Sequence, residues 1–331
     1  MKSVAESGER KPAPETLWLK TVTVCHLGAF RNLVLELGPG INLLTGMNGT
    51  GKTNFLKWVF SGLTAPPDGP LEPHFFRNLL PPAASPALLV FREGQIRSGS
   101  LSLESSDSLV RGFHVEKTGK GLKDVRIIRE KPGILSEPFS GKVFYFPFDD
   151  SCPEIRKNPG YYRSLLLRRI EKSVPGRVVL RGGRWWLKNA RGWAEWEQVT
   201  PATRQMAILS LILRKGMLKR GSLLLWDTPE GVFGPVLAGE FAGILAELAR
   251  KGVQSLVATR DYVLQKEIDL HQDKEIPPVR FHGFFRDDRQ DKISVESSDH
   301  LSGLVHNPAL DTFRSLFDRD IERAITGKWS P

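Results

Sequence analysis

Apolar and polar residues alternate from Thr16 to Cys25, which predicts a strand with one buried face. Leu33 to Leu37 reads as its return strand. Phe30-Arg31-Asn32 sits at the turn before it and Gly38-Pro39-Gly40 at the turn after it. The next stretch, Gly40 to Thr45, is short, apolar and bounded by turns, as a fully buried strand is. Asn54 to Phe60 then suits a helix packed on a sheet. The opening order is strand, strand, strand, loop, helix.

Residues 64 to 85 are rich in Pro and Ala and read as a surface insertion. Four short β-like runs follow: Leu88–Phe91, Leu101–Leu103, Phe113–Val115 and Val125–Ile128. Turn residues separate them, as in an antiparallel subdomain. Lys142 to Pro147 is a further apolar strand leading into a polar loop, Phe148-Asp149-Asp150. Tyr161 to Lys172 predicts a helix and Arg177 to Leu187 a hairpin. Thr200-Pro201 is a hydroxyl cap followed by Pro at the first helical position, so a buried helix runs from Ala202 to Leu218.

Ser222 to Asp227 is an almost continuous apolar run ending in one carboxylate, the reading of a strand buried in a parallel sheet. Helix Phe241–Arg250, strand Ser255–Thr259 and helix Tyr262–Leu270 continue a right-handed βα layer on that sheet. Val279–Phe285 and Lys292–Val295 are β-like, and a last helix runs from Leu310 to Ala324. The fold expected is α/β, a parallel core sheet flanked by helices with an antiparallel β subdomain.

At 331 residues the chain can bury a sizeable core. Residues 1–15 are polar and read as a disordered tail. Residues 16–331 read as a single head domain carrying a variable β-rich, basic insertion at about 64–198. No apolar run is long enough to span a bilayer, and the two cysteines, Cys25 and Cys152, are far apart, so a cytoplasmic protein is expected. The seven histidines are scattered without metal-ligand spacing.

The net charge of +10 is concentrated: from Glu154 to Arg191 eleven Lys and Arg face two Glu. The stretch Arg156 to Arg191 is therefore a candidate DNA footprint. Trp185, Trp186, Trp193 and Trp196 lie among its arginines, either to stack on bases or to pack on the strand face with Arg over the rings.

The loop after the buried strand, Gly46-Met47-Asn48-Gly49-Thr50-Gly51-Lys52-Thr53, has the spacing of a phosphate-binding loop. Its glycines let backbone N–H groups converge on an anion, and the next helix adds its positive end. Lys52 would reach the terminal phosphates of ATP, and the Thr53 hydroxyl would hold Mg²⁺. Asp227, at the carboxyl edge of its strand, is the expected second Mg²⁺ ligand.

These residues resemble the SMC/RecF/OLD-like branch of the ABC-type ATPases, AAA-family ATP-binding proteins often met in phage-defence operons. The likeness rests on Phe30-Arg31-Asn32, Gly40 to Leu44, Gly46 to Asn54, Leu223 to Glu230, Val253 to Tyr262 and Asn307 to Asp311. It covers roughly residues 16–62 and 198–325. The resemblance implies an ABC-type head in which Arg31, Gly46, Asn48, Gly49, Thr50, Gly51, Lys52, Thr53 and Asn54 bind nucleotide. It also implies that two copies close head to tail on two ATP molecules.

The departures from the family fall on its catalytic parts. The general-base Glu after the Mg²⁺ Asp is Thr228, and the switch His is Arg260. The Ser-Gly of the signature appears as Thr200-Pro201-Ala202, where Pro201 has no N–H and Ala202 adds a Cβ. A Thr accepts no proton from water near neutral pH. The expectation is a Mg²⁺-ATP-binding switch with impaired hydrolysis, acting with a separate effector protein. The alternatives are an active ATPase using Glu230 or Arg260, and a non-catalytic scaffold or DNA-binding module.

Overall fold

The structure, a computed structural model, describes residues 17–64, 98–108, 110–117, 125–129, 143–146, 170, 176–181, 184–190, 192–272, 276–287 and 292–327. The tail, all but Thr64 of the insertion expected at 64 to 85, the run Leu88–Phe91, the loop Phe148–Asp150 and all but Ile170 of the helix expected at 161–172 lie outside these residues.

In chain order the first elements are β1 (Leu19–Leu27), β2 (Phe30–Glu36), β3 (Ile41–Gly46) and α1 (Lys52–Thr64). Strands β4 (Ser98–Ser105), β5 (Val110–Lys117), β6 (Val125–Arg129) and β7 (Val143–Phe146) follow. After them come β8 (Arg177–Arg181), β9 (Arg184–Asn189), β10 (Gly192–Glu195), α2 (Pro201–Arg214) and β11 (Leu223–Asp227). The last part holds α3 (Glu230–Phe233), α4 (Ala238–Arg250), β12 (Gln254–Ala258), α5 (Tyr262–Leu270), β13 (Arg280–Asp287), β14 (Lys292–Ser298) and α6 (Pro308–Thr326).

The central sheet has the order β14-β13-β3-β12-β11-β7. Its strands are parallel except β14, which pairs antiparallel with β13 at one edge. The expected parallel layer is therefore present. Of the expected strand at 142–147, Val143–Phe146 joins it as the edge strand β7, in register with β11 from Val143–Leu223 to Phe146–Trp226.

A second, antiparallel sheet has the order β2-β1-β4-β5-β6. The first two strands thus belong with the middle of the chain, and β3 alone of the opening three enters the central sheet. The turn between β1 and β2 is one step earlier than the pattern implies, at Gly28, where φ is +60°. Phe30 is inside the strand, opposite Leu27, because its ring is fully buried against Phe55 and Phe284.

The central sheet separates two apolar layers. On one side Ile41, Leu43, Leu224, Trp226 and Val257 pack against α2, α4 and α5. On the other Leu44, Leu223, Leu225 and Leu256 pack against α1 and the antiparallel sheet. Alternate residues along β3 serve opposite layers, as strand geometry requires. Helix α1 inserts Phe55, Leu56, Trp58 and Val59, all nearly inaccessible. Each such side chain is worth about 1.5–3 kcal/mol of transfer free energy.

Candidate functional site

The parallel strands β3, β12 and β11 end side by side, and the candidate site forms beyond their carboxyl edges, where ligands of such sheets bind. The loop leaving β3 turns on glycine. Gly46 has φ +135°, and a Cβ there would stand 2.0 Å from the Phe284 carbonyl oxygen. Gly51 has φ +86°, and a Cβ would meet the Phe30 ring at 2.7 Å. The aromatic cluster of Phe30, Phe55 and Phe284 is thus the floor of the loop. It leaves room for backbone only.

Within the loop, Thr50 Oγ1 donates to the Met47 carbonyl at 2.8 Å. Lys52 Nζ donates to the carbonyls of Gly46 at 2.6 Å and Met47 at 2.8 Å. The loop is curled around its own lysine with the ammonium pointing inward. Burial pushes the Lys52 pKa from its ordinary 10.5 to about 8, against the pull of Asp227 and Glu230.

Thr53, at the first turn of α1, donates from Oγ1 to Asp227 Oδ1 at 3.1 Å. Asp227 is the last residue of β11 and is 2% exposed. Burial raises its pKa, opposed by hydrogen bonds from Thr53 and Thr228 and by Lys57 and Lys52. A hydroxyl and a carboxylate converging at the mouth of a glycine loop form an oxygen donor set suited to Mg²⁺. The inward ammonium and the glycine cradle suit a polyphosphate.

Thr228 donates from Oγ1 to the same Asp227 oxygen at 3.1 Å. Its backbone has φ +51°, which is rare for a β-branched residue. Its N–H is held by the Ala258 carbonyl at 2.8 Å, so the neighbouring strand fixes this conformation.

Glu230, at the start of α3, turns to the end of β12. Its Oε2 accepts from Thr259 Oγ1 and its Oε1 from the Arg260 N–H, each at 2.9 Å. Burial raises its pKa against these bonds. Arg260 Nη1 donates across the cleft to Asn48 Oδ1 at 2.9 Å.

The cleft so formed holds about 460 Å³. It is lined by Asn48, Gly49, Gly51, Lys52, Thr53, Asn54, Asp227, Thr228 and Arg260 of the expected set, and also by Lys57, Tyr145 and Thr259. Sequence reading missed these last three. Lys57 lies one helical turn past Thr53, a spacing that could have found it. Tyr145 comes from β7, whose place beside β11 no local pattern reveals.

Several expected groups are not in the cleft lining: Gly46 and Thr50 lie within the loop, Glu230 turns to the end of β12, and Arg31 and Thr200-Pro201-Ala202 lie elsewhere. Arg31 is half-buried on β2, next to the Phe30 ring under the loop. Thr200-Pro201-Ala202 forms the amino end of α2, where the Thr200 hydroxyl accepts from the Thr203 N–H at 3.4 Å. Helix α2 is tied to β11 from within, Trp226 Nε1 donating to the buried Gln205 Oε1 at 2.9 Å. Among the described residues no cluster of three or more His, Cys, Asp or Glu could hold a metal.

An AAA-domain family model matches residues 21–86. The fold is similar to the Smc head domain of Pyrococcus furiosus, solved with an extended coiled coil and bound to the C-terminal domain of ScpA. That match has a TM-score of 0.59 and 11% identity, over 91% of this chain and 99% of the other. A second Smc head, bound to the C-winged helix domain of ScpA, matches with a TM-score of 0.58 and 12% identity, over 85% of this chain and 97% of the other. No curated protein matches the sequence.

Proposed function

We propose that this chain, which has the fold of an SMC-like, ABC-type ATPase head, binds Mg²⁺-ATP as a switching ligand and hydrolyses it slowly. The observation that carries this is the set of groups around Asp227. Among the described lining residues Asp227 is the only carboxylate, and the residue after it offers a hydroxyl already donating to it. An acceptor for the proton of an attacking water is missing from the place where the family keeps its Glu.

Lys52 and the loop N–H groups would bind the phosphates, and Thr53 with Asp227 would hold Mg²⁺, which supplies charge neutralisation at the terminal phosphates. Glu230 supports the slow reading, since both of its oxygens are engaged by Thr259 and Arg260. For Glu230 to act as the base, one of those contacts would first have to loosen, and for the Arg260 guanidinium to stabilise transition-state charge it would first have to leave Asn48. Loss of a positioned base lowers rate by about 10²–10⁴-fold.

The same reading includes a head-to-tail dimer. Thr200-Pro201-Ala202 lies off its own cleft, so a second copy would have to bring that helix start to the ATP. Both Smc heads above are bound to a domain of a separate protein. By that analogy this head acts with a separate effector protein in the cytoplasm, in a defence or DNA-related system. Among the described residues no helix is long and apolar enough to cross a membrane.

The test is Mg²⁺-ATP binding by calorimetry beside phosphate release on the same sample. Binding with little turnover is expected, and Lys52→Ala should abolish the binding. Robust turnover that disappears in Asp227→Ala would overturn the slow-hydrolysis reading.

A second reading, nucleic-acid binding, is favoured by the small sheet β10-β9-β8. One face packs Val178, Trp185, Leu187 and Ala194 on the core. The other face carries exposed Arg177, Arg181, Arg184 and Lys188. Trp193, 44% exposed, lies 5.5 Å from the Arg181 guanidinium and 5.3 Å from the Lys188 ammonium. Cations around an open ring suit a phosphate backbone with stacked bases. Oligonucleotide affinity should fall steeply with salt and fall further in Lys188→Glu. Salt-independent binding, or none, would count against it.

A further inference from the structure

Helix α6 leaves the body of the protein almost as soon as it begins. Leu310 is buried, and every residue from 311 to 327 is exposed. Its root is firmly held. Asn307 caps it, accepting from the Leu310 N–H, and donates from Nδ2 to Gln265 Oε1 at 2.8 Å. Gln265 Nε2 in turn donates to Thr45 Oγ1 at 2.8 Å, one residue before the phosphate loop. All three side chains are essentially inaccessible. The Phe313 ring lies 4.6 Å from that of Tyr262, two residues past Arg260.

From this root the helix carries a stripe of Leu310, Phe313, Phe317, Ile321 and Ala324, of which Leu310 is buried in the body. Phe317 is 69% exposed, with Phe313 at 44% and Ile321 at 45%. Leu316 and Ile325 flank the stripe at 47% and 79%. A helix takes most of its stability from packing such a face, and among the described residues nothing covers this one past Phe313. The steps along the stripe are three, four, four and three residues. The order is the same read from either end, with Phe317 at the centre.

We propose that the same helix of a second copy covers this stripe, running antiparallel on a two-fold axis at Phe317. At ~100° and ~1.5 Å per residue, Leu310 of one copy then lies level with Ala324 of the other, and Phe313 with Ile321. Phe317 meets its own counterpart, as an isologous contact requires. Arg314 falls on the same side of the seam as Asp318 and Glu322 of the second copy, each offset by about 3 Å along the axis.

Charge selects this direction over the parallel one. In a parallel pair Asp320 would fall beside Asp318 and Glu322 of the other copy, and three carboxylates would cluster. Antiparallel, the same acidic pair meets Arg314. The contact uses no nucleotide and no residue of the cleft. It therefore goes beyond the ATP-dependent closure proposed above and persists when ATP is absent.

Sedimentation equilibrium of the full chain without nucleotide tests it. A dimer is expected at micromolar concentration, unchanged in Lys52→Ala, which should disable only ATP-linked association. Phe317→Glu should weaken the dimer at least about 30-fold, a change of roughly 2 kcal/mol in association. Arg314→Glu should weaken it, and adding Asp318→Arg should recover affinity, a rescue that general misfolding would not give. In a Cys25→Ser/Cys152→Ser background, Phe317→Cys should cross-link to itself under mild oxidation and Asp311→Cys should not. A monomer at high micromolar concentration, a dimer indifferent to Phe317→Glu, or equal cross-linking at both positions would overturn the proposal.

Discussion

Arg260 Nη1 donates to Asn48 Oδ1 at 2.9 Å, joining residues 212 positions apart. The bond closes the cleft from the segment after β12 to the loop after β3. Glu230 holds the other end of that segment through the Arg260 N–H. The three residues act as one strut, with a carboxylate fixing the backbone and a guanidinium fixing the loop.

Removing either end should therefore be felt at the nucleotide. Arg260→Ala is expected to weaken Mg²⁺-ATP binding by about tenfold, the scale of one hydrogen bond to a charged group. Glu230→Ala leaves Thr259 Oγ1 and the Arg260 N–H without their acceptor. It should lower stability by about 1–3 kcal/mol. Calorimetric titration checks the first and urea unfolding the second. Unchanged affinity in Arg260→Ala would show that ATP displaces the contact.

Thr228 stores strain that a different residue can relieve. Its φ of +51° suits Asn far better than a β-branched side chain. Thr228→Asn should stabilise the protein by about 0.5–1 kcal/mol in urea unfolding. Thr228→Glu restores an acceptor beside Asp227 and should raise phosphate release. No gain in turnover would count against the missing acceptor as the sole cause of the slow hydrolysis proposed above.

Gly46 tolerates no side chain. The Cβ of Gly46→Ala would collide with the Phe284 carbonyl, in a backbone region closed to L-residues. The neighbour is a strand backbone inside the sheet and cannot move aside. A loss above about 3 kcal/mol is expected, with a matching fall in soluble yield. By contrast nothing lies within 4 Å of a Cβ at Gly49, where strain from φ +80° is the only penalty.

Lys52 makes the site pH-sensitive. Its folded pKa of about 8 lies below the ordinary 10.5. Between those values the unfolded chain holds more protons than the folded one, so this lysine's contribution to stability rises with pH from about 8 to 10.5. ATP needs the charged form. Its affinity should fall above pH 8, by up to about tenfold per unit. Binding that is flat from pH 7 to 10 would show that the ammonium is not the phosphate ligand.

How far the sequence reveals this site depends on the range of each signal. The phosphate loop, the capped start of α2 and the apolar run ending at Asp227 are local patterns, and each falls where the pattern places it. The partition of strands between two sheets is not local. β1 and β2 look like neighbours of β3 but form a separate sheet, in which β1 pairs with β4, some 70 residues later. Thr228 is readable as a substitution, whereas its left-handed backbone is set by Ala258 across the sheet. The Glu230–Arg260 link is equally hidden, because it depends on where α3 turns back. Tyr145 entered the cleft wall by the register of an edge strand.

Strand β3 faces both apolar layers at once, Leu43 toward one and Leu44 toward the other. The loop that would grip ATP therefore hangs from a strand that, like β11 and β12, neither layer can release alone. Its amide protons should exchange with deuterium only when the whole domain opens. Any ligand that grips the loop then stabilises the entire fold. ATP at a hundred times its dissociation constant should add about 2.7 kcal/mol to global unfolding. Melting temperature becomes a direct reporter of occupancy, needing no turnover at all.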